Sequence, residues 1–377
     1  MRIAAISESR AGEQRVALTP EASKKLVDDG HTVTIETGAG TSIGAFDDQY
    51  REAGALVADN RAGAIGAAEV IASINHEHLD DLPGLGDRHT VVALLDPLWK
   101  PEPMQALAAT GATALSLELV PRITRAQSMD VLSSMATVAG YQAVLTAAER
   151  LPRMFPMLMT AAGTVPAARV VILGAGVAGL QAIATAKRLG AVVEAYDVRP
   201  AAAEQIESLG AKAIDLQLDT DDSEDAGGYA KAQGDDEQAR QRAALLPFIA
   251  AADVVVTTAA IPGARSPLLV TTEMVEAMRP GSLIVDVAAE RGGNCALTVA
   301  DEVVDHGGVI LLGPTQLESG SARSASQMFA NNLVTLIRYL ADDELELVID
   351  PEDEITGAML VTHRGEIVHP RVNDALS

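Results

Sequence analysis

The segment with the clearest chemistry is a glycine-rich turn near the middle of the chain. The apolar residues 170–173 lead directly into Gly174-Ala175-Gly176-Val177-Ala178-Gly179, and good helix formers follow to residue 186. In such a unit the first glycine permits the tight turn, the second lets backbone approach a pyrophosphate, and the third permits close helix packing. Free N–H groups at the helix N-terminus favour the anion. The spacing therefore predicts a site for a dinucleotide.

An acidic residue stands where the adenosine ribose of that dinucleotide is expected. Asp197 follows the next apolar run, residues 192–196, at the usual distance of about 20 residues beyond the turn. Its carboxylate would accept hydrogen bonds from the ribose hydroxyls and repel the extra 2′-phosphate of NADP. Asp197 thus favours NAD(H), although Arg199 nearby is a residue type that accommodates that phosphate.

Other polar residues have weaker signals. Asp286 lies near the carboxyl end of a predicted strand, residues 283–287. Ligands of open α/β sheets bind at that edge, so Asp286 either contacts a ligand or caps a loop. Arg15 has no predicted role. The lone Cys295 is interpreted as a small loop residue and excludes an intrachain disulfide and a cysteine zinc site. No metal site is predicted.

Both halves of the chain alternate between strand and helix patterns. In the first half a helix near residues 20–29 separates strands at residues 2–6 and 32–36, and further pairs follow to residue 119. From residue 169, apolar runs typical of buried parallel strands occur at residues 170–173, 192–196, 213–214, 254–257, 283–287 and 309–312. A helix is predicted at residues 328–340, and the tail returns to the first domain. We predict an α/β fold of two Rossmann-like, doubly wound parallel-sheet domains, the first discontinuous.

A polar excursion, residues 215–242, interrupts the second series. Long loops inside compact domains are usually functional lids or disordered segments. Within it, Gly227 and Gly228 precede Tyr229, which suits a hinged flap whose aromatic ring closes on bound nucleotide. We expect a lid; the alternative is a disordered loop with an incidental tyrosine.

Charge and hydropathy limit the possible partners. The 52 acidic and 28 basic residues give a formal net charge of −24, which repels nucleic acid and anionic lipid. The most apolar runs are only strand-length, whereas a membrane helix needs about 20 apolar residues. The first residues indicate a strand and not a secretory signal. We expect a cytoplasmic chain that reaches a membrane only through protein partners.

Several segments also match a known family. Residues 121–134 read Pro-Arg-Ile-Thr-Arg-Ala-Gln-Ser-Met-Asp-Val-Leu-Ser-Ser, residues 159–166 read Met-Thr-Ala-Ala-Gly-Thr-Val-Pro, and residues 227–231 read Gly-Gly-Tyr-Ala-Lys. Together with the glycine-rich turn and residues 181–190, they resemble the NAD(H)-binding component, domain I of the alpha subunit, of proton-translocating NAD(P) transhydrogenase. The similarity extends from residue 2 to residue 370, and the fold is shared with alanine dehydrogenase.

The resemblance implies roles for the polar loop, residues 121–134. Asp130 and Ser133 would hold the nicotinamide carboxamide. Arg122 would order the loop and the dinucleotide, and Gln127 would reach NADP(H) on a partner. Without the resemblance, the same residues would equally fit a surface helix start with Ser128 or Asp130 as its N-cap. The cofactor contacts that the turn and the resemblance imply are Gly174, Gly176, Val177, Gly179, Asp197, Val198, Arg199, Gly228, Tyr229, Gln241 and Ala260.

The implied activity is that of a Re/Si-specific, proton-translocating NAD(P) transhydrogenase. The chain would pass hydride between NADH and NADP⁺ bound on a partner subunit, and a membrane-spanning subunit would couple this step to proton translocation. The resemblance also implies a homodimer at the inner face of the cell membrane. We expect residues 1–133 plus 325–377 to form the first domain and residues 134–324 the NAD(H)-binding domain, with the nicotinamide in the cleft between them.

Two other functions compete with this one. An alanine dehydrogenase needs positioned acid/base groups; its pattern has a lysine and a histidine where this chain has Ser73 and Leu95. Three polar neighbours would replace them only after a register shift: His76, His78 and Asp96. A non-catalytic NAD-binding module would have no reason to keep the polar loop.

Overall fold

The computed structural model of the protein describes residues 1–75, 79, 82–216, 235–261 and 263–377. These residues form two compact units, one made of Met1–Met135 and Glu318–Ser377 and the other of Ala136–Leu317. The domain limits expected after residues 133 and 324 remain a prediction.

The elements are numbered in chain order. The strands are β1 (Arg2–Ala5), β2 (Thr32–Glu36), β3 (Leu56–Ala58), β4 (Val70–Ala72), β5 (Thr90–Ala93), β6 (Thr113–Ser116), β7 (Leu158–Thr160), β8 (Gly163–Val165), β9 (Arg169–Leu173), β10 (Val192–Tyr196), β11 (Lys212–Ala213), β12 (Val254–Thr257), β13 (Leu283–Asp286), β14 (Val303–His306), β15 (Val309–Leu312), β16 (Leu360–His363) and β17 (Glu366–Ile367). The helices are α1 (Pro20–Asp28), α2 (Asp47–Glu52), α3 (Arg61–Gly66), α4 (Pro103–Ala109), α5 (Val131–Arg150), α6 (Val177–Arg188), α7 (Ala202–Ser208), α8 (Asp235–Ala251), α9 (Thr272–Glu276), α10 (Ala322–Leu340), α11 (Thr356–Met359) and α12 (Pro370–Leu376).

The first unit is built on an eight-stranded sheet in the order β17-β16-β6-β5-β4-β1-β2-β3. Strand β1 pairs in parallel with β2 on one side and β4 on the other. The chain therefore changes direction across the sheet between β1 and β4, and the loops that follow these two strands diverge there. At the far edge, β16 is antiparallel to β6, so the C-terminal tail completes this sheet as expected.

The second unit contains a seven-stranded sheet in the order β11-β10-β9-β12-β13-β15-β14. Strand β9 is buried on both faces, because Val170 and Ile172 face one core cluster while Val171 and Leu173 face the other. This explains its continuous apolar sequence. Strands β10 and β12 flank β9 in parallel, so the change of direction lies between β9 and β12. Ligands of open α/β sheets bind outside the strands' carboxyl ends at such a point.

The prediction of two doubly wound α/β sheets is confirmed, and its details need two corrections. One lateral edge of each sheet is antiparallel, since β14 pairs with β15 and β16 pairs with β6 in that sense. Helix α10 begins at Ala322 and not at residue 328; its polar first turn is one end of an amphipathic helix whose inner side carries Ala325, Phe329 and Leu333. Apart from the two sheets, strands β7 and β8 pair as a separate antiparallel hairpin.

Helix α5 is long and apolar enough to cross a membrane by length and composition, so the expectation of only strand-length apolar runs is wrong for this helix. Core helices of globular proteins pass the same test. Four small or β-branched residues of α5 lie buried in a core cluster of the second unit: Ala139, Ala143, Val144 and Ala147. We therefore interpret α5 as a core helix.

Candidate functional site

The glycine-rich turn has the geometry that its spacing predicts. Gly174 follows β9 with φ +99°, a conformation that favours glycine. A Cβ on Gly174 would lie 2.8 Å from Thr258 Oγ1 and 3.0 Å from the Ala259 nitrogen. By contrast, a Cβ on Gly176, the residue that caps α6, would meet nothing within 4 Å. The start of α6 is therefore open beside Gly176, where the first backbone N–H groups of a helix are available to an anion.

Close backbone packing holds the first turn of α6. A Cβ on Gly179 would overlap the carbonyl oxygen of Gly174, which explains the third glycine of the motif. Gly140 of α5 makes a similar approach, since a Cβ there would overlap the carbonyl oxygen of Ala178. Gly140 was not predicted from the sequence, although a glycine inside a helical pattern is a signal of packing or function. The turn is thus fixed by backbone contacts on two sides.

Asp197 lies directly beside this turn, at the end of β10. Its Oδ2 accepts from the Ala175 nitrogen at 2.7 Å and from Arg199 Nη2 at 2.9 Å. Its Oδ1 accepts from the Arg199 backbone nitrogen at 2.9 Å and from Nε at 2.8 Å. The side chain of Asp197 is only 7% exposed. A carboxylate offers about four lone pairs, so ribose hydroxyls would share or displace these donors.

Asp286 has a structural role at the same edge of the sheet. It is fully buried and accepts from the hydroxyls of Thr257 and Thr298 at 2.9 and 2.7 Å. Backbone nitrogens supply the remaining donors: Ala288, Asn294 and Cys295. The structure favours the alternative in which Asp286 caps a loop.

Cys295 is buried in the core, as a small loop residue can be, and burial raises the pKa of its thiol to about 11.

The remaining predicted cofactor contacts differ in exposure. Val177 and Ala260 are exposed, and Val198 is half-buried. Gln241 is 3% exposed, and its Nε2 donates to the hydroxyl of Tyr196 at 3.0 Å. Gln241 therefore belongs to the core below the edge of the sheet in this structure. Gly228 and Tyr229, and most of the predicted lid, lie outside the described residues.

The polar loop, residues 121–134, is anchored from within the first unit. Its 3-10 turn, Thr124–Met129, buries Ala126 and Met129. Asn332 of α10 donates through Nδ2 to the Ser128 carbonyl at 2.8 Å. Arg122 and Gln127 are exposed on this anchored backbone. A fixed backbone with outward-facing polar side chains suits contact with a ligand or a partner.

Asp130 is the N-cap of α5, as the alternative interpretation of the loop proposed. Its Oδ1 accepts from the Ser133 nitrogen at 2.9 Å, and its Oδ2 accepts from the Ser133 hydroxyl at 2.5 Å. The two predicted carboxamide ligands therefore contact each other, and both remain half-buried rather than enclosed. The cap explains why α5 begins at Val131.

The carboxyl edge of the first sheet contains Ser73 and Leu95, the positions at which the alanine dehydrogenase pattern has a lysine and a histidine. The Ser73 hydroxyl donates to Glu8 at 3.0 Å. Backbone nitrogens of Ile74 and Asn75 also donate to Glu8, and burial raises the pKa of this carboxyl to about 7. Leu95 is 9% exposed, and neither its side chain nor a serine is an efficient acid or base near neutral pH.

Two carboxylates and an arginine occupy other positions near this edge. Leu95 and Asp96 donate through their backbone nitrogens to Glu118, whose pKa is raised by burial. Arg15 donates through Nε and Nη2 to the two oxygens of Glu13 at 2.7 and 2.6 Å. Both side chains are almost fully buried, which gives Arg15 a structural role. His76 and His78 lie outside the described residues, among which no cluster could hold a metal ion.

A doubly wound sheet whose first strand runs into an open glycine-rich turn, with an acid after the next strand, defines a Rossmann-type α/β protein. Comparison with known proteins then identifies the family. Residues 143–370 match the model of the alanine dehydrogenase/PNT C-terminal domain, and residues 4–139 match that of the N-terminal domain. The chain belongs to the alanine dehydrogenase/PNT family, as predicted.

Relatives within the family differ in their similarity to this chain. An NAD(P) transhydrogenase alpha-subunit protein of Rhodospirillum rubrum is 45% identical, with 98% of each chain covered. The crystal structure of transhydrogenase from Sinorhizobium meliloti matches with a TM-score of 0.85, 44% identity and coverage of 98% of this chain and 99% of that one. A solved L-alanine dehydrogenase matches with a TM-score of 0.83 but only 27% identity, over 100% and 99% of the chains. The fold is therefore common to both activities, whereas the sequence is more similar to the transhydrogenases.

Proposed function

We propose that the protein binds NAD(H) and exchanges hydride with NADP(H) held by a partner subunit, as the NAD(H)-binding subunit of a proton-translocating NAD(P) transhydrogenase of the Re/Si-specific type. The observation that carries the proposal is the construction of the polar loop, residues 121–134. Its backbone is anchored through Ala126, Met129 and Ser128, while Gln127 is exposed. The similarity to named transhydrogenase subunits supports the same function.

The dinucleotide would lie at the carboxyl edge of the second sheet. The space beside Gly176 and the free N–H groups of α6 fit a pyrophosphate, and Asp197 with its bound Arg199 fits the adenosine ribose. The remaining contacts proposed are Val177, Val198, Gly228, Tyr229, Gln241 and Ala260. Asp130 and Ser133 would hold the nicotinamide carboxamide, and Arg122 would order the loop.

The reaction places small chemical demands on the protein. Bound NADH supplies a hydride, NADP⁺ on the partner accepts it, and no side chain has to take or give a proton. The protein's task is then to align two rings, and orientation alone can contribute about 7–11 kcal/mol to lowering a barrier. Exposed, short polar side chains such as Gln127 suit that task. An amino-acid dehydrogenase would instead need an acid/base pair, which Ser73 and Leu95 do not supply.

The proposed partners follow from this role. A second subunit would bind NADP(H), and a membrane-spanning subunit would couple hydride transfer to proton translocation. The chain itself would form a homodimer on the cytoplasmic face of the membrane. Its net charge of −24 opposes direct binding to anionic lipid, which supports attachment through protein partners.

The test is hydride exchange in a defined mixture. Purified protein is combined with the NADP(H)-binding component of a transhydrogenase, NADH and an oxidised NADP analogue, and the reduced analogue is measured by absorbance. We expect transfer that requires both proteins. NADH binding by calorimetry without any transfer would favour a non-catalytic NAD-binding module, and NAD reduction with L-alanine would favour an alanine dehydrogenase.

A further inference from the structure

Asn294 lies at the carboxyl edge of the second sheet, and no motif of the sequence drew attention to it. Its side chain is fully buried, so it cannot touch a ligand at the open turn. Nevertheless, its amide group makes three hydrogen bonds to the backbone of neighbouring loops. Nδ2 donates to the carbonyls of Ala259 and Pro267 at 2.8 Å each, and Oδ1 accepts from the Ala259 nitrogen at 3.1 Å.

The loop that carries Asn294 is itself fixed by Asp286. Asp286 Oδ2 accepts from the Asn294 nitrogen at 2.8 Å. Two glycines with positive φ, Gly292 and Gly293, allow the chain to turn tightly around this carboxylate. A Cβ on Gly293 would lie 2.6 Å from Asp286 Oδ2. The position of the Asn294 side chain is therefore set by the buried acid and not by the exposed surface.

The segment that Asn294 holds lies against the glycine-rich turn. Thr258 precedes Ala259, and its Oγ1 donates to the Gly174 carbonyl at 3.0 Å. The space that a Cβ of Gly174 would need is occupied by Thr258 and Ala259. This contact lies where β9 and β12 end side by side, the point at which an open sheet binds its ligand.

We infer that Asn294 is a positioning residue for dinucleotide binding. Its amide group hydrogen bonds to both the N–H and the carbonyl of Ala259. These bonds set the position of residues 258–260 against Gly174 and leave Ala260 exposed at the carboxyl edge of the sheet. The inference rests on the proposed binding of NAD(H) at the turn. The affinity for NAD(H) would then depend on a buried amide group that touches no part of the cofactor.

The test compares Asn294→Ala with Ser282→Ala as a matched control. Ser282 is also buried and donates to a backbone carbonyl, that of Ala252 at 3.2 Å. It precedes β13 and so lies at the amino ends of the strands, away from the carboxyl edge where the nucleotide is proposed to bind. Both variants should lose thermal stability. Only Asn294→Ala should raise the Kd for NADH in calorimetry, by roughly tenfold, because residues 258–260 would no longer be held against Gly174.

Two further measurements separate positioning from general loss of structure. Thr258→Val keeps the shape of the side chain but removes its hydrogen bond to Gly174, so it should also weaken NADH binding without touching Asn294. Hydrogen exchange of the Asn294→Ala protein without nucleotide should accelerate in residues 258–260 and in the turn. Unchanged NADH affinity in Asn294→Ala and Thr258→Val would overturn the inference, as would equal weakening by Ser282→Ala. A wild-type protein that does not bind NADH would overturn the proposed function itself.

Discussion

The guanidinium of Arg199 forms a bidentate pair with the carboxylate of Asp197, with Nε 2.8 Å from Oδ1 and Nη2 2.9 Å from Oδ2. Such bidentate, charge-assisted pairs are among the stronger hydrogen bonds in proteins. The pair has a consequence for nucleotide choice. From sequence, Arg199 competes with Asp197 because it could attract a 2′-phosphate. In the structure the arginine is paired with the acid, so Arg199 is not available to a 2′-phosphate unless that pair breaks.

We predict that the protein binds NADH more tightly than NADPH and that Asp197→Asn narrows the difference by about tenfold or more. Asparagine keeps the shape of the side chain but releases Arg199 to pair with the phosphate. Calorimetry with both nucleotides at matched salt gives the ratio of the two Kd values. Glu194→Gln on the same strand breaks ion pairs with Arg169 and Lys212 and should leave the ratio unchanged. Equal affinities for the two nucleotides in the wild-type protein would contradict the prediction.

The local features of this site could be predicted from sequence, and its long-range contacts could not. The turn at Gly174 and the acid at Asp197 are adjacent to strands whose apolar sequence is unambiguous, so spacing alone places them. The donors to Asp286 come from both its own loop and Thr257 on the neighbouring strand, which are brought together only by strand order. Asn294 gives no sequence signal beyond the preceding glycines, because its partners are backbone groups of a distant loop.

We predict no alanine-dependent reduction of NAD by the purified protein. Ser73 is engaged with Glu8, and Leu95 has no ionisable group. With no acid or base at these two positions, the oxidative deamination of an amino acid would lack the proton transfers they provide, which typically contribute 10²–10⁴-fold to a rate. The measurement is NADH formation with L-alanine, and the reverse reaction with pyruvate and ammonia. Steady turnover in either direction would show that other residues of this chain supply those groups.

The buried pair of Arg15 and Glu13 should matter for stability more than an exposed pair. Arg15→Ala leaves the carboxylate of Glu13 buried without its charged partner, a change that typically costs about 3–5 kcal/mol. Arg51→Ala removes the partner of Asp48 in a pair that is largely exposed on both sides, where the loss is about 0–1 kcal/mol. Scanning calorimetry should show a large fall in Tm for the first variant and little change for the second. A fall in Tm for Arg15→Ala no larger than that for Arg51→Ala would mean that burial adds nothing to the contribution of the Arg15–Glu13 ion pair.

Glu8 should make stability depend on pH. Because burial raises its pKa from 4.5 to about 7 in the folded protein, the folded state binds more protons than the unfolded state between these values. The stability that this group contributes is therefore present at low pH and is lost as the pH rises through about 7. Glu8→Gln imitates the protonated form, so its stability relative to wild type should increase between pH 5 and pH 8. The exposed variant Glu52→Gln should show no such trend, and a trend in the opposite direction for Glu8→Gln would contradict the raised pKa.

Variants of the polar loop can test nucleotide binding and hydride transfer separately. Gln127 is exposed, so Gln127→Asn should leave folding and NADH affinity nearly unchanged. If its side chain reaches the nucleotide on the partner, the lost methylene should slow transfer in the reconstituted mixture. Wild-type transfer by this variant would mean that Gln127 has no part in the reaction.

Asp130→Asn should behave differently, because Asp130 is proposed to bind the nicotinamide on this chain. Asparagine is as good an N-cap as aspartate, so the bond from the Ser133 nitrogen and the start of α5 should be preserved. A charge-assisted hydrogen bond to the carboxamide, worth about 1.5–3 kcal/mol, would be weakened. We therefore expect both NADH affinity and hydride transfer to fall while Tm stays close to that of wild type. A lower Tm with unchanged NADH affinity would instead make Asp130 a cap and nothing more, and its assignment to the nicotinamide would have to be withdrawn.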